Sequence, residues 1–412
     1  MAIYLGSPNY FLSIHRSSDI IAGTPISQRR CRFLLLRGVR TPNVVRIAAE
    51  RRAIEGVSEE LNAVASQSLD TVAARRRVRA AFLNAQERLD HFLFKAAPSG
   101  ILMEERYERN SKGLEVFWKS WLPNLGIATK ATLFFCHGYG DTCTFFFEGI
   151  AKRIAAAGYG VYAMDYPGFG LSEGLHGYIP SFDEMVDHVI EQYARIRERR
   201  EVAELQHFLL GQSMGGAVAL KVHLKQPKEW DGVLLVAPMC KIAEDVTPPA
   251  AILYAFSLLS YILPEAKLFP QKDLGDLAFR DPEKRKMSSM WEGFESEFLM
   301  LAAFDIKAEY NVISYADQMR LKTAVELVKA TREIESKLEE VTSPLLILHG
   351  AADKVTDPNV SKFLYDKAST KDKTLRFYEE GYHAILEGEP DERISNVIDD
   401  IISWLDSHVA IQ

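Results

Sequence analysis

Residues 207–216, HFLLGQSMGG, decide how this chain is read. A short apolar run, 207–210, leads into Gly211-Gln212-Ser213-Met214-Gly215, and a helical stretch, 216–224, follows at once. A serine held at so sharp a strand-to-helix turn is strained and presented above the sheet, and only small residues two positions to either side let the turn close. G-x-S-x-G by itself is a weak signal. Here the strand before it and the helix after it supply the setting that the motif demands, so Ser213 reads as a nucleophile and not as a chance turn serine.

The same rhythm extends outward. Residues 131–136 (ATLFFC), 160–164 (GVYAM), 232–237 (GVLLVA), 344–348 (PLLIL) and 374–378 (TLRFY) are short continuous apolar runs separated by helix-length segments. Such runs fit strands covered on both faces, hence an α/β domain with a mostly parallel sheet between helices, whose functional groups gather just past the strand ends. Upstream, residues 104–108, the turn Asn110-Ser111-Lys112-Gly113 and residues 114–121 read as a β-hairpin opening that domain.

A serine hydroxyl needs a base, and the base needs an orienting acid. His137 and His349 precede glycines at strand ends, His207 leads into a strand and His223 sits on a helix, so these four read as structural. His383 follows the last strand, after the nucleophile in chain order, and is the candidate base. Asp353 comes directly after 344–350 and is the candidate acid. Asp357 competes, but Asp357-Pro358 looks like a helix N-cap followed by proline at the first helical position. Backbone donors for a tetrahedral oxyanion are expected at Met214, next to the nucleophile, and at Tyr139, in the glycine-flanked turn His137-Gly138-Tyr139-Gly140.

Together the motifs HGYG (137–140), DYPGFGLSEG (165–174), GQSMGG (211–216), GAADKVTDP (350–358) and GYHAILEGEP (381–390) resemble the monoacylglycerol lipase family in its plant branch, over the chain from about residue 98 to the end. Caffeoylshikimate esterases are similar in the same motifs. The resemblance implies an α/β-hydrolase fold with a helical cap, a triad of Ser213, Asp353 and His383, oxyanion donors at Tyr139 and Met214, and monoacyl esters of glycerol as substrates. No metal or organic cofactor is expected, since serine chemistry needs none.

Substrate choice is expected to rest in residues 239–338, which interrupt the strand rhythm and read as a cap between the two core segments, 98–238 and 339–412. Residues 250–263 (AAILYAFSLLSYIL) are apolar nearly all round: too short to cross a bilayer, suited to a lid helix lining an acyl tunnel or touching a lipid surface. A buried core helix is the competing reading. The expected tunnel residues are Met239, Leu253, Phe256, Leu259 and Tyr261, with Phe145 and Phe146 on the opposite wall. In related sequences the stretch after Asp281-Pro282-Glu283-Lys284-Arg285 runs nearly directly to Tyr310-Asn311-Val312, so residues 288–307 are expected to be an extra excursion of the cap.

Charge is spread unevenly over the 412 residues, whose net charge is −7. The first 49 hold seven arginines, no lysine and Asp19 as the only acid. An Arg-rich, acid-poor leader with Ser predicts a plastid transit peptide over 1–49, cleaved near Ala48, with a cytoplasmic or membrane-peripheral location as the alternative. Residues 50–97 read as an amphipathic helical extension, with Val78, Phe82, Ala85, Leu89 and Phe92 at three- and four-residue steps, docked on the main domain. The four cysteines show no framework spacing and read as free thiols. An acidic balance without zinc-finger spacing makes nucleic acid an unexpected partner. The expected ligand is a small lipid or ester, and nothing in the sequence sets the oligomeric state. Three functions remain open: an acylglycerol lipase, an esterase for a small phenolic ester, and, less expected, a hydrolase-fold signal receptor.

Overall fold

The computed structural model describes residues 53–54, 56–241, 250–267, 278, 280 and 310–410. The leader and the stretch 288–307 lie outside the described residues. One compact unit, Arg51–Gln412, carries everything described.

Its centre is an eight-stranded sheet in the order β1-β2-β4-β3-β5-β6-β7-β8. β1 (Leu102–Arg109) and β2 (Glu115–Leu122) are the expected hairpin, and β2 also pairs antiparallel with β4 (Gly160–Met164). From β4 onward, through β3 (Thr132–Cys136), β5 (His207–Gln212), β6 (Gly232–Val236), β7 (Leu345–Gly350) and β8 (Lys373–Tyr378), every pairing is parallel. β3 to β7 are buried along their whole length, whereas the edge strand β8 is half-buried or exposed at every residue, as its mixed Lys-Thr-Leu-Arg-Phe-Tyr sequence suits.

Two apolar layers flank the sheet. One holds α5 (Phe182–Arg197) and α6 (Met214–Lys225); the other holds α4 (Phe146–Ala156) and α10 (Asp391–His408). α5 begins on Ser181, whose hydroxyl accepts from Glu184 N–H, and ends with Arg195 and Arg197 in its last turn, both favourable to the helix dipole.

The extension joins the second layer. α1 (Glu59–Ala65), α2 (Val72–Gln86) and α3 (Phe92–Lys95) precede the sheet, and Val78 and Phe82 of α2 are fully buried in its core. The run of apolar residues reaching Phe92 is not one helix. It breaks after Gln86, and His91 starts α3 by accepting from Leu93 N–H. α3 lies so close to α4 that a Cβ on Gly149 would meet Leu93 O at 2.1 Å. The guanidinium of Arg75 is entirely buried and, among the described residues, has no carboxylate partner: it donates to the carbonyls of Gly170 (2.6 Å), Ser172 (2.6 Å) and Leu69 (2.8 Å) and stitches α2 to the loop after β4.

The cap contributes α7 (Ala250–Ile262). α8 (Leu321–Glu335), read from the sequence as part of the cap, packs against α7 and also reaches the helical layer, where Leu327, Ala330 and Ile334 enter the same core as α6. Its N-terminus is a joint, where Arg320 donates to Asp70 (2.6 Å), His176 O (3.0 Å) and Glu265 O (3.0 Å).

Candidate active site

β5 ends in Gln212, and Ser213 turns the chain with φ 53° and ψ −120°, a conformation that costs on the order of 1–3 kcal/mol for a residue with a side chain. Packing enforces it. A Cβ on Gly211 would meet Gly215 O at 2.4 Å, and one on Gly215 would meet Cys136 O at 1.8 Å, so both flanking positions admit glycine alone. Ser213 N–H is held by Val236 O (3.0 Å), and its carbonyl accepts from Met239 N–H (2.9 Å).

Ser213 Oγ lies 3.0 Å from His383 Nε2, and His383 Nδ1 lies 2.7 Å from Asp353 Oδ2. The three side chains come from the loops after β5, β7 and β8 and meet at the carboxyl ends of the parallel strands. Asp357 stands apart as the N-cap of α9 (Pro358–Lys367), accepting from Asn359 N–H. Burial would raise the Asp353 carboxyl, but hydrogen bonds and charge from His349 and His383 outweigh it and hold the group well below the usual carboxylate range. Asp353 stays ionised and can fix one His383 tautomer, leaving Nε2 to take a proton from Ser213.

Gly138 brings the loop after β3 into van der Waals contact with the serine, 3.5 Å from a Cβ there to Ser213 Cβ. Tyr139 follows, its ring against Phe169 and Tyr315. Tyr315 N–H donates to Gly140 O (2.7 Å) and ties this loop to the segment returning from the cap. Among the described residues neither Tyr139 N–H nor Met214 N–H has a protein acceptor, and Met214 opens α6, so both donors are available to an oxyanion.

Of the expected tunnel residues, Met239 is half-buried beside the nucleophile, and Leu253, Phe256 and Leu259 form the half-buried side of α7. Three differ from expectation. Tyr261 is 78% exposed, on the outer face of the helix with Tyr254, Leu258 and Ile262, because successive helical residues turn away from one another. Phe145 and Phe146 pack at a tilt against Phe94, and Phe146 also against His91, so the pair is a core contact of α3 and not an open wall facing the cap.

Of the four histidines read as structural, His137, His207 and His223 are buried on local partners: Gly138 O, Thr132 Oγ1, and Ser343 with Thr342. His349 is different, with Nε2 3.0 Å from Asp353 Oδ2. Thr356 was also missed; its hydroxyl lies 2.8 Å from Asp353 Oδ2 and 3.1 Å from His383 Nδ1. The signal for His349 is its place four residues before Asp353 at the end of one strand. For Thr356 the sequence carried none. Glu387, on the His383 loop, is half-buried with its Oε2 shut off from solvent and without a partner among the described residues; its Oε1 accepts from Gln212 (2.8 Å). Burial, reinforced by the charge of Asp141, pushes this carboxyl up to about 8 against the Gln212 hydrogen bond. The thiols of Cys136 and Cys240 are buried and pushed up to about 12, and that of Cys143 is also buried and raised, so none is a nucleophile; Cys31 lies outside the described residues.

A family model described as serine aminopeptidase, S33, matches residues 127–290 and 305–391. The chain belongs to this family. Its interrupted match falls within the stretch read as a cap excursion. The chain is 33% identical over 322 residues to caffeoylshikimate esterase of Arabidopsis thaliana, covering 75% of this chain and 91% of that protein. It is 27% identical over 301 residues to monoglyceride lipase of Homo sapiens, covering 73% and 90%. A soluble variant of monoglyceride lipase from Saccharomyces cerevisiae shares the fold at a TM-score of 0.59 and 18% identity, over 77% of this chain and 100% of that one. The S33 chain described here is thus an α/β-hydrolase and a serine hydrolase. Its helices α1 to α3 precede the family match.

Proposed function

We propose that this chain is an acylglycerol lipase acting on monoacylglycerols through an acyl-enzyme on Ser213. Attack of Ser213 Oγ on the ester carbonyl is paired with proton transfer to His383 Nε2, while Asp353 holds the imidazolium and the N–H groups of Met214 and Tyr139 receive the oxyanion. His383 returns the proton to the departing glycerol oxygen, and water repeats the cycle on the acyl group. The observation favouring a lipid ester is α7, apolar on both sides: Leu253, Phe256 and Leu259 face inward half-buried, and Ile252, Tyr254, Leu258, Tyr261 and Ile262 are exposed. The inner side suits an acyl chain, the outer side a lipid surface on which the enzyme docks peripherally.

A small phenolic ester is the second reading, favoured by the higher identity to caffeoylshikimate esterase, 33% against 27% for the human lipase. Competition among monoacylglycerols, a lysophospholipid and caffeoylshikimate separates the two. Each methylene moved from water into an apolar site is worth about 0.8 kcal/mol, so a lipase improves several-fold per carbon until the site is full. Specificity constants flat with chain length, together with faster turnover of caffeoylshikimate, would replace the lipase by the esterase.

The basic leader, residues 1–49, directs the chain to plastids in this proposal, supported by its seven arginines and single acid. A fluorescent fusion of residues 1–58 that stays in the cytosol refutes that location.

A further inference from the structure

His349 is the penultimate residue of β7 and is completely buried. Its Nε2 lies 3.0 Å from Asp353 Oδ2 and 3.0 Å from Thr356 O, and its Nδ1 lies 2.6 Å from Ser361 Oγ on α9. A ring nitrogen between a carboxylate and a carbonyl carries the hydrogen, since both neighbours only accept. Nδ1 therefore presents a lone pair, and the Ser361 hydroxyl donates to it. On the other side, Asp353 Oδ2 also receives His383 Nδ1–H (2.7 Å) and the Thr356 hydroxyl (2.8 Å), while Oδ1 takes the N–H groups of Val355 (2.7 Å) and Thr356 (3.1 Å). These groups, from β7, the loop after it and the loop after β8, are the polar contacts of the carboxylate among the described residues.

We propose that Ser361 and His349 form a second arm of the triad, with His349 a positioning residue that fixes the Asp353 carboxylate and shares its charge with His383. The inference rests on the reading of Ser213, His383 and Asp353 as nucleophile, base and acid. His383 and His349 approach the same oxygen from two sides, so the carboxylate cannot rotate without breaking both bonds. Each donor draws on the same negative charge. With the His349 donor removed, more of that charge falls on His383, its imidazolium is held more firmly, and the neutral base forms only at higher pH. Ser361 acts one step further out by anchoring Nδ1 of the His349 ring; without it the ring is held at one end only, and its Nε2–H bond to Asp353 loosens.

The test measures kcat and KM for a short water-soluble p-nitrophenyl ester across pH in the full-length chain and in the His349→Phe, His349→Gln, Ser361→Ala and Ser213→Ala variants, with circular dichroism to confirm folding. His349→Phe should lower kcat by about tenfold or more with little change in KM, the mark of lost alignment in the transition state. It should also move the acid limb of kcat/KM up by about half a pH unit. His349→Gln, which restores an N–H near the Nε2 position, should recover most of kcat and return the limb toward its original place. Ser361→Ala should give a smaller upward move of the same limb. An acid limb unmoved in His349→Phe, or no recovery in His349→Gln, overturns the second arm. If His349→Phe does not fold, the limb in Ser361→Ala decides: an upward move supports the proposal and an unmoved limb overturns it. Ser213→Ala separates the two levels, since turnover surviving there breaks the triad reading itself, whereas loss of turnover there with unmoved limbs elsewhere breaks only this inference.

Discussion

At Ser213 the cost of a left-handed backbone is offset by the fixed aim of one hydroxyl, and the assignment is direct to test. Ser213→Ala should abolish ester turnover and covalent labelling by a fluorophosphonate, because nucleophile and acyl-enzyme disappear together. Labelling at full stoichiometry in that variant would put the nucleophile elsewhere. Glu387 makes a prediction of a different kind. Its carboxyl holds a proton up to about pH 8 in the folded protein, whereas an unfolded chain releases it near pH 4.3. Between those values the folded state binds more protons, so stability falls as pH rises. Glu387→Gln keeps a neutral group in place and removes that slope. It should stabilise the protein by about 4–5 kcal/mol at pH 8 and about 1 kcal/mol at pH 5, read as the difference in unfolding midpoint at the two pH values. An equal gain at both would show that the carboxyl titrates normally.

Among the elements, α2 and α7 show how similar apolar content leads to opposite roles. α2 alternates its apolar positions with arginines, and one of these, Arg75, enters the core because backbone carbonyls of Leu69, Gly170 and Ser172 line its path. Arg75→Met fills the volume but leaves those carbonyls without donors, at a cost on the order of 3–5 kcal/mol. A Lys at this position should not rescue it, since the three donors of an ammonium sit on one atom and cannot reach five carbonyls, of Leu69, Asp70, Gly170, Ser172 and Gly174, spread around a guanidinium. Urea unfolding measures both, and a loss below about 1 kcal/mol would mean that the loop after β4 finds other partners. α7 instead packs against α8, with Lys322 over the exposed Tyr261 ring and Arg320 donating to Glu265 O just past its end. Leu259→Asp should weaken turnover of long-chain monoacylglycerols while sparing a short soluble ester, because triad and oxyanion donors are untouched. An equal loss on both substrates would show that α7 supports the catalytic core and not the acyl chain.

For the whole molecule, the decisive fact is that the catalytic unit begins well before the family match. Arg51–Gln412 is one compact unit, and Phe82, Leu93, Phe145 and Phe147 share one apolar layer in it. A chain beginning at Arg51 should therefore melt at the same temperature as the full chain and label equally with a fluorophosphonate. A chain beginning at residue 98 should lose cooperative melting, since it strips α1 to α3 from that layer and exposes the aromatic face of α4. Cooperative melting of the shorter chain would make the extension a dispensable appendage.

By itself the sequence determined the elements whose cause is local. The hairpin of β1 and β2, the buried strands, the cap of α9 on Asp357 and the turn at Ser213 each follow from hydrophobic period, turn chemistry or the steric demands of glycine within a few residues. The meeting of Ser213, Asp353 and His383 was legible for the same reason: in a parallel sheet, strand ends gather on one edge, so His383 and Asp353 could be placed by their position after a strand. Proximity between segments far apart in the chain was decided only in three dimensions. Phe145 and Phe146 look like tunnel walls until α3 is seen covering them, and Tyr261 looks like Leu259 until the helix turns it outward. His349 sits four residues from Asp353 in sequence, yet its role depends on Ser361 and His383 arriving from two other elements. A hydrogen bond has a direction, and side-chain direction is fixed by packing rather than by the order of residues.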